Sequence, residues 1–266
     1  MRVVIASALL ACGSLAQPAS AEILRTNGVE IEYQMTGSGE PLLMIHGFGE
    51  CFEQSWNAIA PELAKSYRVI AVNQRGHGRS TNPTGKFTHK QSAEDIRSLM
   101  DALGVKSASG IGFSSGGMTL LHLATRYPER LSKLVVVGAT THFGDQARRI
   151  MSSVASDGLP PPVRENFLKC AARGPAQADE LARQFGAFKD SHTDMNFKAA
   201  DLSKIKAQTL IVHGDRDDFF PVSIPVEIYT TIPKSQLWIV PGGDHSPTAG
   251  APPEVFTQTV KAFLSR

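Results

Sequence analysis

The sequence predicts an α/β fold in which a mostly parallel sheet of eight strands is flanked by helices and carries a helical insertion. Three observations support this prediction. Short apolar runs alternate with segments of helical spacing, a glycine-rich turn joins one run to a helix, and the alternation breaks once. Repeated strand–helix alternation produces a parallel sheet covered by helices on both faces. A length of 266 residues and a hydrophobic content of 42% suit one large domain.

The first 21 residues have the pattern of a signal peptide. Arg2 supplies a positive charge, Val3 to Leu10 form an apolar run, and Ala19-Ser20-Ala21 is a small-x-small cleavage site. The apolar run is too short to span a bilayer. We therefore expect cleavage after Ala21 and a periplasmic or secreted protein without an integral membrane span. A lipoprotein signal, with Cys12 as the lipidated residue, is the alternative.

Charge and cysteine content limit the remaining classes of function. The formal net charge is +2, which gives no electrostatic case for binding nucleic acid. Two cysteines remain after the expected cleavage, Cys51 and Cys170. A disulfide between them and two free buried thiols are both compatible with the sequence. The oligomeric state stays open.

Apolar segments separated by turn residues are the predicted strands. The first two flank Asn27-Gly28, a pair typical of β-hairpins. Most of the others are continuously apolar, as expected for strands buried on both faces. The predicted strands are Ile23–Arg25, Val29–Tyr33, Leu42–Ile45, Val69–Val72, the small-residue run that ends at Ile111, Leu134–Val137, Thr209–Val212 and Gln236–Val240.

Helical spacing and breakers define the helices and the insertion. The predicted core helices are around Trp56 to Ala64, Gln91 to Leu103, Met118 to about Tyr127, and Pro253 to Leu264. Residues 141–206 contain helical segments and prolines but no convincing strand. We interpret 22–140 and 207–266 as the core and 141–206 as a helical cap. Ligands of open α/β sheets bind at the carboxyl ends of the strands, so an insertion at that edge would form a lid.

The glycine-rich turn, Gly112-Phe113-Ser114-Ser115-Gly116-Gly117, is the strongest functional signal. It has the pattern Gly-x-Ser-x-Gly between a strand and a helix. Such a turn holds its serine in a strained conformation, so the residues two before and two after it must be small. Gly112 and Gly116 meet that demand, and the helix that follows favours negative charge developing at the serine. Ser114 is therefore the candidate nucleophile.

A serine nucleophile needs a base and a group that orients the base. The two last predicted strands supply both, because one is followed by three aspartates, Asp215, Asp217 and Asp218, and the other by His245. All of these residues lie at carboxyl ends of strands, and the chain order is Ser, Asp, His. This order matches that of the nucleophile-elbow hydrolases.

At this point the chain resembles the α/β-hydrolase superfamily, in its Ser-His-Asp branch with a helical cap. The resemblance covers nearly all of the chain after the signal peptide. The motifs that carry it are His46-Gly47-Phe48-Gly49, Arg75-Gly76-His77-Gly78-Arg79-Ser80, the Ser114 turn, Gly214-Asp215-Arg216-Asp217 with Pro221, and Gly243-Asp244-His245. The chain departs from the family at Asn73, where aspartate is usual, and in the small residues of the central strand.

The resemblance implies a role for each matching residue. Ser114 would be the nucleophile, Asp217 the acid and His245 the base, and the backbone N–H groups of Phe48 and Ser115 would form the oxyanion hole. It implies no metal and no organic cofactor. The spacing of Asp217 from the motif glycine and proline selects it over its two neighbours. A calcium loop is disfavoured, because the glycine and terminal glutamate of such loops are missing.

Five other histidines receive different interpretations. His46 is expected to brace the oxyanion loop, His77 to form loop hydrogen bonds, and His122 to be an ordinary helix residue. His142 and His192 are expected to be exposed in the insertion.

The sequence thus predicts an exported serine hydrolase that cleaves a small carboxylic ester. Alternatives with the same triad are a perhydrolase or cofactor-free haloperoxidase, a lactonase, or a carbon–carbon hydrolase. An alternative of another class is a ligand-binding protein with little or no turnover.

Overall fold

A computed structural model describes residues 20–247 and 253–266. The expected signal peptide, residues 1–21, therefore lies outside the described residues except for Ser20 and Ala21. Within the described part, no helix combines the length and the apolar character needed to cross a bilayer.

The described residues form one sheet of eight strands, as the sequence predicts. Its spatial order is β1-β2-β4-β3-β5-β6-β7-β8, with β1 and β2 antiparallel at one edge and all other pairs of neighbours, apart from β2 with β4, parallel. The strands are β1 (Glu22–Thr26), β2 (Val29–Thr36), β3 (Glu40–Ile45), β4 (Tyr67–Val72), β5 (Ala108–Phe113), β6 (Leu131–Val137), β7 (Gln208–Gly214) and β8 (Ser235–Val240).

The hairpin between β1 and β2 forms at the predicted dipeptide. Thr26 is paired with Val29, and Asn27 and Gly28 both have positive φ, at 48° and 76°. This two-residue turn matches the right-handed twist of the flanking strands. The side chain of Asn27 also donates a 2.7 Å hydrogen bond to Asp95, which ties the turn to a neighbouring helix.

The helices of the described residues lie on both faces of the sheet and above one end of it. They are α1 (Phe52–Trp56), α2 (Ala60–Leu63), α3 (His89–Ala102), α4 (Ser115–Arg126), α5 (Asp145–Asp157), α6 (Pro161–Lys169), α7 (Pro175–Ala187), a 3-10 turn (Phe188–Asp190), α8 (Ala199–Leu202), α9 (Ser223–Thr231) and α10 (Pro253–Leu264).

One expectation about the helices was wrong, and one helix was missed. The single helix expected around Trp56 to Ala64 is two short helices, α1 and α2. Pro61 lies in the first turn of α2, where its missing N–H is tolerated, so a new helix begins there instead of α1 continuing. The helix α9 between β7 and β8 was not predicted.

The central strands of the sheet are buried on both faces, as their apolar sequences predict. In β3, Leu43 and Ile45 pack into one hydrophobic cluster, whereas Leu42 and Met44 pack into the other. Side chains alternate between the faces of a strand, so an uninterrupted apolar run is what a strand covered on both sides requires.

The segment between β6 and β7 contains α5 to α8 and the 3-10 turn, and no strand of the main sheet. The sequence left the pairing of Cys51 and Cys170 open. In the structure they form a disulfide, with their Cα atoms 5.4 Å apart. Cys51 directly precedes α1 in the core, and Cys170 directly follows α6. The bond therefore joins this segment to the core covalently.

Candidate active site

The turn between β5 and α4 carries Ser114 in a strained conformation. Its φ is 48°, and among the described residues Asn27 is the other non-glycine residue with positive φ. Crowding explains the two glycines. A Cβ on Gly112 would lie 2.5 Å from the backbone of Gly116, and one on Gly116 would lie 2.1 Å from the carbonyl oxygen of Ile45. The strained residue is therefore the serine that lies between β5 and α4, at the carboxyl edge of the sheet.

Ser114, His245 and Asp217 form one line of hydrogen bonds. Ser114 Oγ lies 3.0 Å from His245 Nε2, and His245 Nδ1 lies 3.0 Å from Asp217 Oδ2. Asp217 follows β7 and His245 follows β8, so the three side chains meet at the carboxyl edge of the sheet. Asp215 instead accepts a hydrogen bond from the N–H of Gly242, and Asp218 offers its carbonyl oxygen to the side chain of Gln146.

The environment of Asp217 favours its ionised form. Burial by itself raises the pKa, but the hydrogen bond from His245 and the backbone N–H groups that bind the carboxylate lower it below its ordinary value overall. Oδ1 accepts from the N–H groups of Phe219 and Phe220, at 2.7 and 3.0 Å. A carboxylate held in this way can fix the tautomer of His245 and stabilise its cation.

His213 lies next to the carboxylate of Asp217. It was not identified from the sequence. Its Nε2 lies 2.9 Å from the carbonyl oxygen of Phe220 and 3.3 Å from Asp217 Oδ2. Burial lowers its pKa, which favours the neutral ring. His213 lies near the end of β7, four positions before Asp217. That position in the sequence could have identified it as a neighbour of the acid.

The loop after β3 and the start of α4 hold the two expected oxyanion donors, Phe48 and Ser115. Both residues line the same cavity as Ser114. Ser115 is the first residue of α4, so its N–H has no acceptor within the helix.

Two buried histidines brace the oxyanion loop. His46 Nε2 accepts a hydrogen bond from the N–H of Gln74, and His77 Nε2 accepts one from the N–H of Gly49, both at 3.0 Å. Burial lowers the pKa of His46 to about 4 and that of His77 well below its ordinary value. Both rings are therefore neutral acceptors near pH 7, and the sequence had assigned bracing of this loop to His46 alone.

The site opens into a cavity of about 330 Å³ with largely aromatic walls. The ring-bearing residues that line it are Phe48, Phe113, Phe143, Phe167, Phe185, Phe188, Phe219 and Phe220, together with His89 and His245. No lysine or arginine is among the lining residues that the structure describes, and residues 248–252, which follow His245, contain none in the sequence.

Two titratable residues of the cavity, Glu50 and His89, were missed by sequence reasoning. Glu50 is half-buried, accepts a hydrogen bond from the hydroxyl of Ser55, and has its pKa raised by burial. His89 is buried and bonded to Asp194. Glu50 follows the His46-Gly47 motif by only a few positions, which could have identified it, whereas the partner of His89 is 105 residues away.

The remaining three histidines, His122, His142 and His192, are not among the residues that line the cavity. His142 and His192 are exposed and do not line the cavity, whereas His122 is buried on α4. In the described ranges, no cluster of three or more His, Cys, Asp or Glu residues could hold a metal ion.

Comparisons with known proteins agree with this architecture. Residues 40–168 match the family model described as the alpha/beta hydrolase fold. The serine hydrolase BPHL of Homo sapiens is 29% identical over 231 residues, covering 83% of this chain and 78% of that protein. The 2-hydroxymuconate semialdehyde hydrolase of Pseudomonas sp. (strain CF600) is 29% identical over 233 residues, covering 80% and 82%. The enol-lactonase structure from Burkholderia xenovorans LB400 superposes with a TM-score of 0.76 at 20% identity, covering 92% of this chain and all of that one (100%).

Proposed function

Because this chain belongs to the α/β-hydrolase superfamily, we propose that it is a serine hydrolase that cleaves a small carboxylic ester through a covalent acyl-enzyme. The observation that carries the proposal is the hydrogen-bonded line from Ser114 through His245 to Asp217, which opens into an apolar cavity. A ligand-binding protein without turnover would not need a strained serine next to a paired histidine.

In this mechanism each side chain has one task. Ser114 Oγ attacks the ester carbonyl while His245 Nε2 takes its proton, and Asp217 stabilises the resulting imidazolium. His245 then protonates the leaving alcohol and later activates water to hydrolyse the acyl-enzyme. The N–H groups of Phe48 and Ser115 bind the oxyanion, each contributing about 3–4 kcal/mol by comparison with similar sites.

The cavity favours an uncharged acyl group over a carboxylate-bearing substrate. No cationic side chain lines the described part of the cavity, so a substrate carboxylate would leave water there without a lysine or arginine as counter-ion. The muconate-type substrate named for the Pseudomonas relative carries a carboxylate. For this chain, an ester or a lactone therefore suits the cavity better than the substrate of such a carbon–carbon hydrolase.

The experiment is a panel of p-nitrophenyl esters and lactones, compared with peroxide-dependent halogenation and with a carbon–carbon cleavage substrate. We expect the highest kcat/KM on an ester or lactone, with loss of activity in Ser114→Ala. Halogenation or carbon–carbon cleavage faster than every ester would replace the proposal with that alternative. Absence of turnover together with no labelling by an organophosphate would favour the binding protein.

We also propose that the protein is exported and that the mature chain begins at Glu22. The signal-peptide pattern supports this, and the disulfide between Cys51 and Cys170 suits an oxidising compartment. The intact mass of native protein tests it. A mass that includes residues 1–21, or a lipid on Cys12, would contradict it.

A further inference from the structure

Glu50 is the one acidic side chain among the described residues that line the catalytic cavity, and the mechanism above does not use it. It lies in the loop that carries Phe48 and immediately precedes the disulfide residue Cys51. Its carboxylate accepts a hydrogen bond from the hydroxyl of Ser55, and burial raises its pKa.

This carboxyl group lacks a cationic partner. In the described ranges, neither a lysine nor an arginine forms an ion pair with Glu50, and none lines the cavity. The nearby group of positive character is His245, whose charge favours the ionised form of Glu50 only while the imidazole is protonated. Burial therefore favours the neutral acid form of Glu50, and a cation entering the cavity would stabilise the carboxylate form by supplying the counter-ion that the protein itself lacks.

An aromatic ring lies beside the carboxyl group. A Cβ built on Gly47 would be 2.8 Å from ring atoms of Phe113 and 3.3 Å from Glu50 Oε2. The ring and the carboxylate therefore flank the same glycine, and Phe113 is the residue directly before Ser114. Ring faces attract ammonium groups, and a carboxylate next to a ring combines two attractions on one cation.

We propose that Glu50 and Phe113 form a subsite for the ammonium group of a positively charged ester, so that the preferred substrates carry a protonated amine or a quaternary ammonium. The inference rests on the proposed ester hydrolase function and narrows its substrate class. The absence of lysine and arginine from the described cavity wall serves the same selectivity, because no fixed positive charge repels such a substrate.

Matched substrate pairs measure this preference. Each pair contains a cationic ester and its neutral isostere: butyrylcholine with 3,3-dimethylbutyl butyrate for charge on the alcohol side, and phenylalanine benzyl ester with benzyl 3-phenylpropanoate for charge on the acyl side. In at least one pair, we expect the wild-type kcat/KM to be about tenfold higher for the cation. In Glu50→Gln this ratio should fall to about one, whereas Glu53→Gln, which changes an exposed carboxylate on α1, should keep the wild-type ratio.

A binding measurement separates the subsite from catalysis. Phenyltrimethylammonium is titrated by calorimetry into Ser114→Ala and into Ser114→Ala/Glu50→Gln, with folding of both checked by circular dichroism. We expect the second variant to bind about tenfold more weakly. This result would support the subsite even if no ester were turned over, in which case the proposed function alone would fail. Equal binding by the two variants, or a cation preference in neither substrate pair, would overturn the subsite and leave neutral ester hydrolysis standing.

Discussion

Two histidine–aspartate pairs of the described residues, His245 with Asp217 and His89 with Asp194, both join Nδ1 to Oδ2, and both histidines line the catalytic cavity. His245 Nδ1 lies 3.0 Å from Asp217 Oδ2, and His89 Nδ1 lies 2.7 Å from Asp194 Oδ2. The difference lies at the opposite ring nitrogen. His245 Nε2 reaches Ser114 Oγ, whereas the ring of His89 is surrounded by Phe87, Phe143 and Phe188.

Access and connections also separate the two pairs. The side chain of His245 is 20% exposed, whereas that of His89 is 1% exposed. Asp194 additionally accepts hydrogen bonds from the backbone N–H groups of His89 and Lys90 at the start of α3. We therefore expect the first pair, which has a hydroxyl group and open space beside it, to act in catalysis, and the second pair to join the segment between β6 and β7 to α3.

The largest expected effect comes from substitutions at the first pair and at the serine that it contacts. Ser114→Ala and His245→Ala should each lower turnover by about 10⁶-fold, and the double variant should be no slower than either, because triad residues act as a unit. Steady-state hydrolysis of the best p-nitrophenyl ester measures this. His89→Ala is the matched control and should fall by less than about 100-fold. An equal loss in that control, or near-normal turnover in Ser114→Ala, would contradict the distinction between the pairs.

Substitution of the two aspartates should affect different properties: kcat for Asp217 and the free energy of unfolding for Asp194. Asp217→Asn should lower kcat by about 10⁴-fold, as in a comparable triad, because His245 loses its orienting partner. Asp194→Asn should instead lower the free energy of unfolding by about 3 kcal/mol, since it weakens a buried pair and the start of α3. Kinetics and denaturant unfolding of both variants provide the test. A large loss of kcat in stably folded Asp194→Asn would show that the second pair takes part in the chemistry.

His122, a neighbour of the second pair, should also make stability depend on pH. His122 lies 3.7 Å from Asp194, and burial lowers its pKa from 6.5 to about 4 despite that charge. Between these two values the unfolded chain binds more protons than the native one, so stability falls as pH drops from 6.5 to 4. The contribution of His122 is about 3 kcal/mol.

Denaturant unfolding at pH 7 and pH 4 measures this loss. His122→Asn should show a smaller difference between the two pH values than wild type. Part of the difference should remain, because burial also lowers the pKa values of His46, His77 and His213. Below pH 4, Asp194 should add a further loss. Burial alone would raise its pKa, but hydrogen bonds and charge from His89 lower it to about 2. An unchanged difference in His122→Asn would refute the assignment.

The smallest expected effect concerns the rings that the insertion contributes to the cavity. Alanine at Phe143, Phe167, Phe185 or Phe188 should change the kcat/KM ratio between long and short acyl chains by about tenfold. Phe143→Ala and Phe188→Ala should also destabilise the fold, because these rings enclose His89. Labelling of Ser114 by a small organophosphate should continue in all four folded variants. An unchanged ranking of esters would remove the specificity role, and lost labelling would mean that the insertion helps to build the catalytic site.

Local patterns were sufficient to predict the sheet and to nominate Ser114, Asp217 and His245. Four-residue apolar runs mark strands covered on both faces, and the strained turn of Ser114 demands glycines at fixed spacing. The order of strand ends then puts an acid and a histidine at the same edge. Each of these signals lies within a few consecutive residues.

The features that were missed depend on contacts between distant segments. The disulfide joins residues 119 positions apart, and the contact of His89 with Asp194 spans 105. Glu50 resembles any loop carboxylate until α1 supplies Ser55 and the turn at Ser114 supplies Phe113. The sequence predicted one helix around Trp56 to Ala64, because apolar spacing does not show that α1 ends at Trp56 and that α2 begins at Ala60, with its proline in the first turn.

The most direct test of the central claim is to trap the acyl or phosphonyl group on the nucleophile. The protein is treated with a fluorophosphonate, or quenched during turnover of a slow p-nitrophenyl ester, and the modified residue is located by peptide mass spectrometry. The account predicts stoichiometric modification of Ser114, slowed by several orders of magnitude in His245→Ala but not in His89→Ala. Modification at another residue, or labelling of Ser114 that does not depend on His245, would contradict it.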